Sequence, residues 1–167
     1  PTYKTNVLNG KPILRFDGGD WLAVPTSVFA GMSSFSVFAV YSATAKTTAS
    51  DIIRYGYNWS SFGIMITAST FSPGLKAELF AGQNGASETH SFSAANATGT
   101  HLMAGIFNDP ANMQYLYLDG ALADSDANAA SLTFNALDRP AIGAARNSSD
   151  AVAGLMLGDI AEIILYS

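Results

Sequence analysis

The stretch HLMAGIFNDPANMQYLYLDG at residues 101–120 decides the fold, because it holds two apolar runs of strand length and two turns. The first run, His101 to Asn108, is separated from the second, Met113 to Asp119, by the turn-forming residues 109–112. Asp119-Gly120 is a dipeptide typical of tight hairpins, so residues 121–123 are predicted to turn back on the second run. The stretch therefore predicts consecutive antiparallel strands.

Similar short runs, each bounded by turn residues, continue in both directions from this stretch. The further predicted strands are Ile13–Asp17, Asp20–Val24, Phe35–Ser42, Asp51–Tyr55, Phe62–Thr67, Leu75–Ala81, Thr89–Ser93, Leu132–Phe134, Pro140–Ala144 and Asp159–Tyr166. No segment has a sustained helical stripe, and the Asp and Asn residues within the alanine-rich stretch 121–130 favour a loop or at most one helical turn. Many short strands with regular turns indicate an all-β sandwich or barrel.

The hydrophobic pattern also predicts the core. In Phe35–Ser42 both alternating sets are apolar near the middle, which is typical of a central strand covered on both faces. The residues predicted to be largely buried are Phe16, Phe35, Val37, Phe38, Val40, Ile106, Leu116, Leu118, Ile163 and Leu165.

Composition limits the classes of function. The 167 residues suit one domain spanning 1–167, and only 13% of them are charged, against roughly 25% in a typical domain. Such a surface suits a module that packs against other proteins or copies of itself. The net charge of −5 and scattered Lys and Arg argue against nucleic acid and anionic membranes as partners. The chain has no cysteine and therefore no disulfide, and it has no apolar run long enough to span a membrane. Because it also lacks an initiator Met, we expect it to be part of a larger protein.

Four segments carry a resemblance to a known family. They are Asn9–Gly18 near the start, Phe35–Tyr41, Tyr115–Gly120, and Ile142-Gly143 followed by Gly158–Ser167 at the end. In this order they resemble the laminin-G-like (LamG) branch of the concanavalin A-like lectin/glucanase superfamily. The resemblance implies a two-sheet antiparallel jelly-roll sandwich. Members of this superfamily serve as sugar-binding modules, adhesion domains and phage structural or tail domains, and some are glycanases, so the fold alone does not decide the function.

Catalysis is not expected. The glycanase branch places its acid and nucleophile on one strand as Glu-x-Asp-x-(x)-Glu, but here Leu157 stands where the first acid is needed. Asp159 and Glu162 are three residues apart and would face opposite sides of a regular strand, although a bulge could bring them together. We expect Glu162 to form a half-buried ion pair with an arginine, and the candidates are Arg15, Arg139 and Arg146. The two histidines, His90 and His101, lack the spacing of a metal site or a catalytic triad.

One segment begins like a calcium loop. Asp124, Asp126 and Asn128 alternate as oxygen ligands do in such loops. The glycine that should follow is replaced by Ala129, and Asn135 stands where the final Glu is needed. The alternative is a polar hairpin loop, so calcium is the one cofactor left open.

The aromatic loop between two predicted strands is the candidate ligand site. Tyr55, Tyr57, Asn58, Trp59 and Ser60 would combine ring faces for the C–H surfaces of a sugar with hydrogen-bonding groups for its hydroxyls. In the alternative interpretation, Tyr57 and Trp59 fold back as lids on the sandwich edge. Trp21 lies within a short predicted strand and is assigned to the core.

Two functions remain open. The first is a non-catalytic module that recognises a carbohydrate or cell-surface ligand, within a secreted or extracellular protein or a virion. The second is a structural domain, such as a virion decoration or tail domain, that contacts other proteins or copies of itself. Glycan hydrolysis is a third possibility, which the missing acid at Leu157 disfavours.

Overall fold

The computed structural model describes residues 1–44, 50–57, 62–67, 75–83, 87–94, 97–129, 131–134 and 138–167. The strands in this part of the chain are β1 (Thr2–Leu8), β2 (Lys11–Asp17), β3 (Leu22–Ala23), β4 (Phe35–Ala43), β5 (Ser50–Tyr55), β6 (Phe62–Thr67), β7 (Lys76–Gln83), β8 (Ser87–Phe92), β9 (Gly99–Asn108), β10 (Met113–Leu118), β11 (Ala121–Ala127), β12 (Asp138–Ile142), β13 (Ala145–Asn147), β14 (Val152–Ala153) and β15 (Leu157–Tyr166). Two short 3₁₀ turns lie at Thr26–Phe29 and Asp109–Ala111. None of the described helical segments could cross a membrane.

The strands form two antiparallel sheets. Sheet A has the order β1-β2-β15-β4-β9-β10-β11, and sheet B has the order β14-β13-β12-β5-β6-β7-β8, with β3 added beside β12. The predicted two-sheet antiparallel sandwich is confirmed. From the resemblance we also expect Ile13–Asp17 to lie near Asp159–Tyr166, and this is confirmed because β2 pairs with β15.

The alternation along β4 shows how the core is built. Phe35, Val37 and Tyr41 are buried between the sheets, whereas Phe38 and Val40 between them are only half-buried. The prediction that β4 is covered on both faces was wrong, because the side chains on its outer face are only half-buried. Phe38 and Val40 therefore point outward from sheet A, and neither belongs to the core.

The other residues predicted for the core are also divided between side chains that face the core and a side chain that faces outward. Phe16, Leu116 and Leu118 are buried as predicted. Ile163 and Leu165 are half-buried and pack against the core from β15. Ile106 is half-buried and faces outward from β9, since it is the cross-strand partner of Ser36 on the outer face of β4.

Several strand limits differ from the prediction. Residues 131–134 form no strand, although Leu132 and Phe134 pack against the core. Asp124–Ala127 continues β11 where a loop was predicted, because β10 supplies a complete hydrogen-bonding partner for it. The strands β1, β13 and β14 were not predicted. The residues of β1 are mostly exposed, and β13 and β14 are only three and two residues long, so these strands lack the apolar alternation that marks a strand in sequence.

Candidate ligand-binding site

The predicted aromatic loop begins at the end of β5, a central strand of sheet B. Tyr55 is only 4% exposed, and its ring centre lies 5.3 Å from that of Phe29 and 4.8 Å from that of Phe134. Tyr55 is therefore a core residue and does not present a free ring to a ligand, contrary to the prediction. Tyr57 is half-buried. Three further residues predicted for the site lie outside the described residues: Asn58, Trp59 and Ser60.

Two charged side chains hold the start of this loop. Arg54 on β5 donates a hydrogen bond from Nη2 to the carbonyl oxygen of Tyr57, with the two atoms 3.1 Å apart. The backbone N–H of Tyr57 donates to Oδ1 of Asp138 at 3.4 Å. Because β5 and β12 are neighbours in sheet B, Tyr57 is positioned above the junction of these two strands.

Three arginines share the outer face of sheet B at this junction. Arg54 lies opposite Ala141 on β12, Arg139 lies two residues before Ala141, and Arg139 lies opposite Arg146 on β13. Side chains two residues apart on a strand, and direct cross-strand partners, point to the same face of a sheet. Ile53 and Tyr55, on either side of Arg54, belong to the core, so the shared face is the outer one. We call Arg54, Arg139 and Arg146 the arginine face.

An indole ring lies at one side of the arginine face. The guanidinium carbon of Arg146 lies 4.4 Å from the ring centre of Trp21, which is cation–π geometry. Arg146 also donates from Nε to Oδ1 of Asp150 at 2.7 Å. Arg139 donates from Nη1 to the carbonyl oxygen of Asp138 at 2.9 Å. Trp21 is half-buried beneath an arginine and does not lie in the core as predicted.

From Arg54, a row of cross-strand partners that includes two aromatic rings continues across sheet B. Arg54, Gly63, Phe80 and His90 are successive cross-strand partners on β5, β6, β7 and β8. A Cβ on Gly63 would lie 2.5 Å from a ring carbon of Phe80. Because Gly63 has no side chain, the guanidinium carbon of Arg54 can lie 4.9 Å from the centre of the Phe80 ring. The ring of His90 stacks on the other side, with its centre 5.9 Å from that of Phe80.

Two fully buried carboxylates lie in the next row of the same face. Asp51 and Glu78 are both opposite Met65 on β6, and both are 0% exposed. Oδ1 of Asp51 lies 3.4 Å from Nη1 of Arg54, and Oε1 of Glu78 lies 2.6 Å from Nδ1 of His90. The second oxygen of each carboxylate has no hydrogen-bond partner among the described residues. Burying an unpaired carboxylate oxygen costs free energy, because water no longer solvates it.

The pKa of Asp51 reflects this environment. Burial is the largest cause and raises the pKa of Asp51 from 3.8 to about 6, because the charged form is poorly solvated. Arg54 acts in the opposite direction through its charge and its hydrogen bond, and the negative charge of Glu78 raises the pKa again. The arginine face therefore rests on two buried carboxylates, and burial raises the pKa of one of them, Asp51.

The predicted calcium ligands lie at a different place, on β11. Oδ2 of Asp124 accepts from the backbone N–H of Phe92 at 2.9 Å, and Oδ2 of Asp126 accepts from the hydroxyl of Ser91 at 2.5 Å. Asn128 is 2% exposed and donates from Nδ2 to Oε1 of Gln114 at 2.8 Å. The two aspartate bonds join β11 at the edge of sheet A to β8 at the edge of sheet B.

The edge bonds leave the calcium prediction untested. Within the described part of the chain, no three His, Asp or Glu side chains converge as ligands of one metal ion would. A cation at Asp124, Asp126 and Asn128 would have to share oxygens that already accept hydrogen bonds between the sheets. Calcium binding there stays a prediction.

The two carboxylates of β15 share a face after all. The pairing of β15 with β4 shifts by one residue between Ile160 and Glu162, so Asp159 and Glu162 both face outward from sheet A. Asp159 accepts two hydrogen bonds from Arg15, at 2.7 and 2.8 Å. Glu162 is exposed, so the prediction that it is half-buried was wrong. Leu157 supplies no acid on this strand.

Sequence reasoning missed the arginine face. It treats Arg139 and Arg146 only as candidate partners of Glu162, and Arg54 only as a strand residue. A signal is present in Asp51–Tyr55, where an arginine stands within an apolar strand. Arginine is almost never fully buried without a partner, so such a residue indicates a polar layer above the strand.

The similarity of the chain to known proteins lies in its structure. No family model matches the chain, and no curated protein matches it. The carbohydrate-binding module CBM40 of the Ruminococcus gnavus IT-sialidase, solved with α2,3-sialyllactose, is similar in structure. The TM-score is 0.73 at 13% identity over 99% of this chain and 91% of that chain.

Two further solved structures have the same architecture. Domain 4 of the extracellular arabinanase AbnA from Geobacillus stearothermophilus, solved with arabinotriose, has a TM-score of 0.70 at 15% identity, covering 100% of this chain and 76% of that one. Domains LG4-5 of the mouse laminin α1 chain give a TM-score of 0.65 at 14% identity, covering 90% of this chain and 40% of that one. The protein therefore has the concanavalin A-like jelly-roll fold, with LamG-like and carbohydrate-binding domains among its structural neighbours.

Proposed function

We propose that this chain is a non-catalytic carbohydrate-binding module and that its ligand binds on the outer side of sheet B, at the arginine face and Tyr57. The observation that carries the proposal is the placement of Arg139 and Arg146, both half-buried, on one face with Trp21 beneath Arg146. Arg54 on the same face is buried and holds the start of the neighbouring loop at Tyr57.

The chemistry of this face suits a sugar. A guanidinium group presents several donors in a planar fork, which matches neighbouring hydroxyls or a carboxylate. Trp21 and Tyr57 are half-buried, so each combines a fixed position with some exposed ring surface for the C–H face of a sugar. Arg139 and Arg146 already bind oxygens of Asp138 and Asp150, which holds their side chains in place before a ligand arrives.

The structural neighbours support the same class of function. The CBM40 domain was solved with sialyllactose and domain 4 of AbnA with arabinotriose, so domains of this architecture bind both acidic and neutral sugars. Arg139 and Arg146 are half-buried on this face, and a guanidinium fork matches a carboxylate, so an acidic sugar is the class that we propose. We place the module in an extracellular, cell-surface or virion protein, which is where a glycan ligand would be met.

The experiment is a titration of the purified chain with 3′-sialyllactose, lactose and arabinotriose. Binding is measured by calorimetry and by two-dimensional amide NMR. Sialyllactose carries a carboxylate that lactose lacks, so the difference between them measures the contribution of charge. In Arg146→Gln we expect the affinity to fall by about 10-fold or more, as is typical for loss of a charge-assisted hydrogen bond.

Arg15→Gln is the matched control, because Arg15 is also paired with an aspartate but lies on sheet A. We expect its affinity to equal that of the wild type. Tyr57→Ala and Trp59→Ala test the contribution of the loop, with the melting temperature as a check on folding. The proposal fails if none of the three sugars binds, or if Arg15→Gln and Arg146→Gln lose affinity equally.

A further inference from the structure

The outer face of sheet A is apolar where an antiparallel sheet facing water is normally polar. The set comprises Phe38, Leu102, Ile106, Tyr117, Ile164 and Tyr166, which we call the apolar face. Cross-strand pairing makes them neighbours: Ile164 lies opposite Phe38 on β4, and Phe38 and Tyr117 both lie opposite Ala104 on β9. The rings of Phe38 and Tyr166 also meet edge to face, with centres 6.3 Å apart.

The exposure of this surface is large for apolar side chains. Leu102 is 41% exposed, Ile164 is 37% exposed and Tyr166 is 60% exposed. Leu122 on β11 extends the surface, because it is the cross-strand partner of Tyr117 and is 55% exposed. Single exposed apolar residues are normal on a monomer, but a contiguous set across neighbouring strands marks an interaction site.

A groove crosses the middle of the apolar face. Its floor is Ala104, and its walls include Phe38 and Tyr117 from the strands on either side. The cavity has a volume of about 230 Å³. Its lining is almost wholly hydrocarbon, so the hydroxyls of a sugar would lose their hydrogen bonds with water there without replacement. An apolar side chain suits the groove, and a glycan does not.

The size of the apolar face can be compared with that of a stable interface. The face spans five neighbouring strands, β15, β4, β9, β10 and β11. At about 4.8 Å per strand and about 3.4 Å per residue over about six residues, it covers about 500 Å². Two copies placed face to face would bury about 1,000 Å² in total, the lower bound for a specific interface.

The distribution of charge makes the apolar face the place where a second copy can approach. With a net charge of −5, two copies repel one another across most of their surfaces. The outward residues of β4 are Ser36, Phe38, Val40 and Ser42, all uncharged, and Glu162 lies only at the margin on β15. The apolar face is thus a surface through which two copies can approach without opposing like charges at its centre.

We propose that this protein self-associates through the apolar face, with the outer surface of sheet A of one copy packed on that of another. The apolar side chains of each copy fill the groove above Ala104 of the other. Sheet B lies on the far side of each copy, so pairing through sheet A does not cover the arginine face of either copy. The proposal is independent of what the arginine face binds.

The test is sedimentation velocity and light scattering of the wild type from about 1 µM to about 1 mM, a range set by the weak affinity of interfaces of this size. We expect a concentration-dependent dimer. Leu102→Lys and Ile164→Lys place a charge on the apolar face at exposed positions, so both should remain monomeric with little change in melting temperature. Val28→Lys is the matched control, because Val28 is 49% exposed but lies in a 3₁₀ turn; it should dimerise like the wild type.

Two results would overturn the proposal. One is a wild type that stays monomeric up to about 1 mM, which would leave the face to a different protein partner. The other is a dimer that Val28→Lys weakens as much as Leu102→Lys and Ile164→Lys do. In both cases the sugar titration of the arginine face can still succeed or fail by itself.

Discussion

The guanidinium group of Arg54 lies 4.9 Å above the ring of Phe80, although the two residues come from β5 and β7 with β6 between them. They meet because the residue of β6 between them is Gly63. The contact replaces part of the hydration that Arg54 loses on burial, and it fixes one member of the arginine face.

Gly63→Ala is expected to destabilise the fold. Its Cβ would lie 2.5 Å from a ring carbon of Phe80, so the ring must move away from Arg54 or the strands must separate. Overpacking of this kind costs about 1–3 kcal/mol. Urea denaturation measures the loss, with Gly19→Ala in an exposed turn as the control. Equal stability of the two variants would show that the ring yields without cost.

Asp51 is expected to make stability depend on pH. Its pKa is raised to about 6 in the folded protein from 3.8, so the folded state holds a proton that the unfolded state releases between these values. Stability from this group is therefore complete below about pH 4 and is lost as the pH rises through about 6. The difference of about 2 pKa units corresponds to about 3 kcal/mol.

Comparison with Asp51→Asn isolates this effect. Other carboxylates titrate in the same range, so the quantity to follow is the difference in the free energy of unfolding between variant and wild type at about pH 4, 5, 6 and 7. We expect the variant to gain on the wild type as the pH rises, and to do so mainly between about pH 4 and 6. A difference that stays constant with pH would contradict the raised pKa of Asp51.

Asn128 is expected to stabilise the edge of the sandwich. Its amide donates to Oε1 of Gln114 and to the carbonyl oxygen of Ala81, so Asn128→Ala leaves two buried acceptors without these donors. The expected cost is about 1–3 kcal/mol in urea denaturation. Ser149→Ala, at an exposed position, serves as the control. A loss of less than the experimental error would show that water enters the edge and replaces the amide.

Calcium binding at Asp124, Asp126 and Asn128 is tested by the melting temperature with calcium and with a chelator. Calcium that binds only the folded state raises the melting temperature, and Asp126→Asn should then remove the rise. An unchanged melting temperature in the wild type at millimolar calcium would count against the site.

The β15 strand is expected to be catalytically silent. Asp159 is held by two hydrogen bonds from Arg15, Glu162 is exposed, and Leu157 provides no third acid. The chain should therefore release no reducing sugar from β-glucans or galactans. Turnover that disappears in Glu162→Gln would contradict this interpretation.

Much of the fold could be predicted from local patterns. The alternation in β4 and the hairpin dipeptide after β10 depend only on residues close in sequence. The predicted strand β4 and the hairpin of β10 and β11 were both confirmed. The polar strand β1 could not be predicted in this way, because an edge strand with exposed side chains has no apolar alternation. Its place depends on the partner that β2 provides.

The candidate site was less accessible to prediction. Tyr55 has an aromatic ring of the kind that stacks on sugars, but whether a ring is free depends on what packs against it. In this structure Phe29 and Phe134 pack against the ring of Tyr55. Asp124 and Asp126 resemble metal ligands by spacing, but the same spacing suits a strand whose alternate side chains reach the neighbouring sheet.

The sequence by itself determined the all-β class, the alternation along regular strands such as β4, and the lack of an acid at Leu157, because each of these depends on neighbours along the chain. Only the tertiary structure decided that Arg54, Arg139 and Arg146 share one face and that Phe38, Leu102 and Ile164 share another. The physical reason is register: a shift of one residue between two strands moves a side chain to the opposite face, and the register between distant strands is set by packing of the whole sandwich.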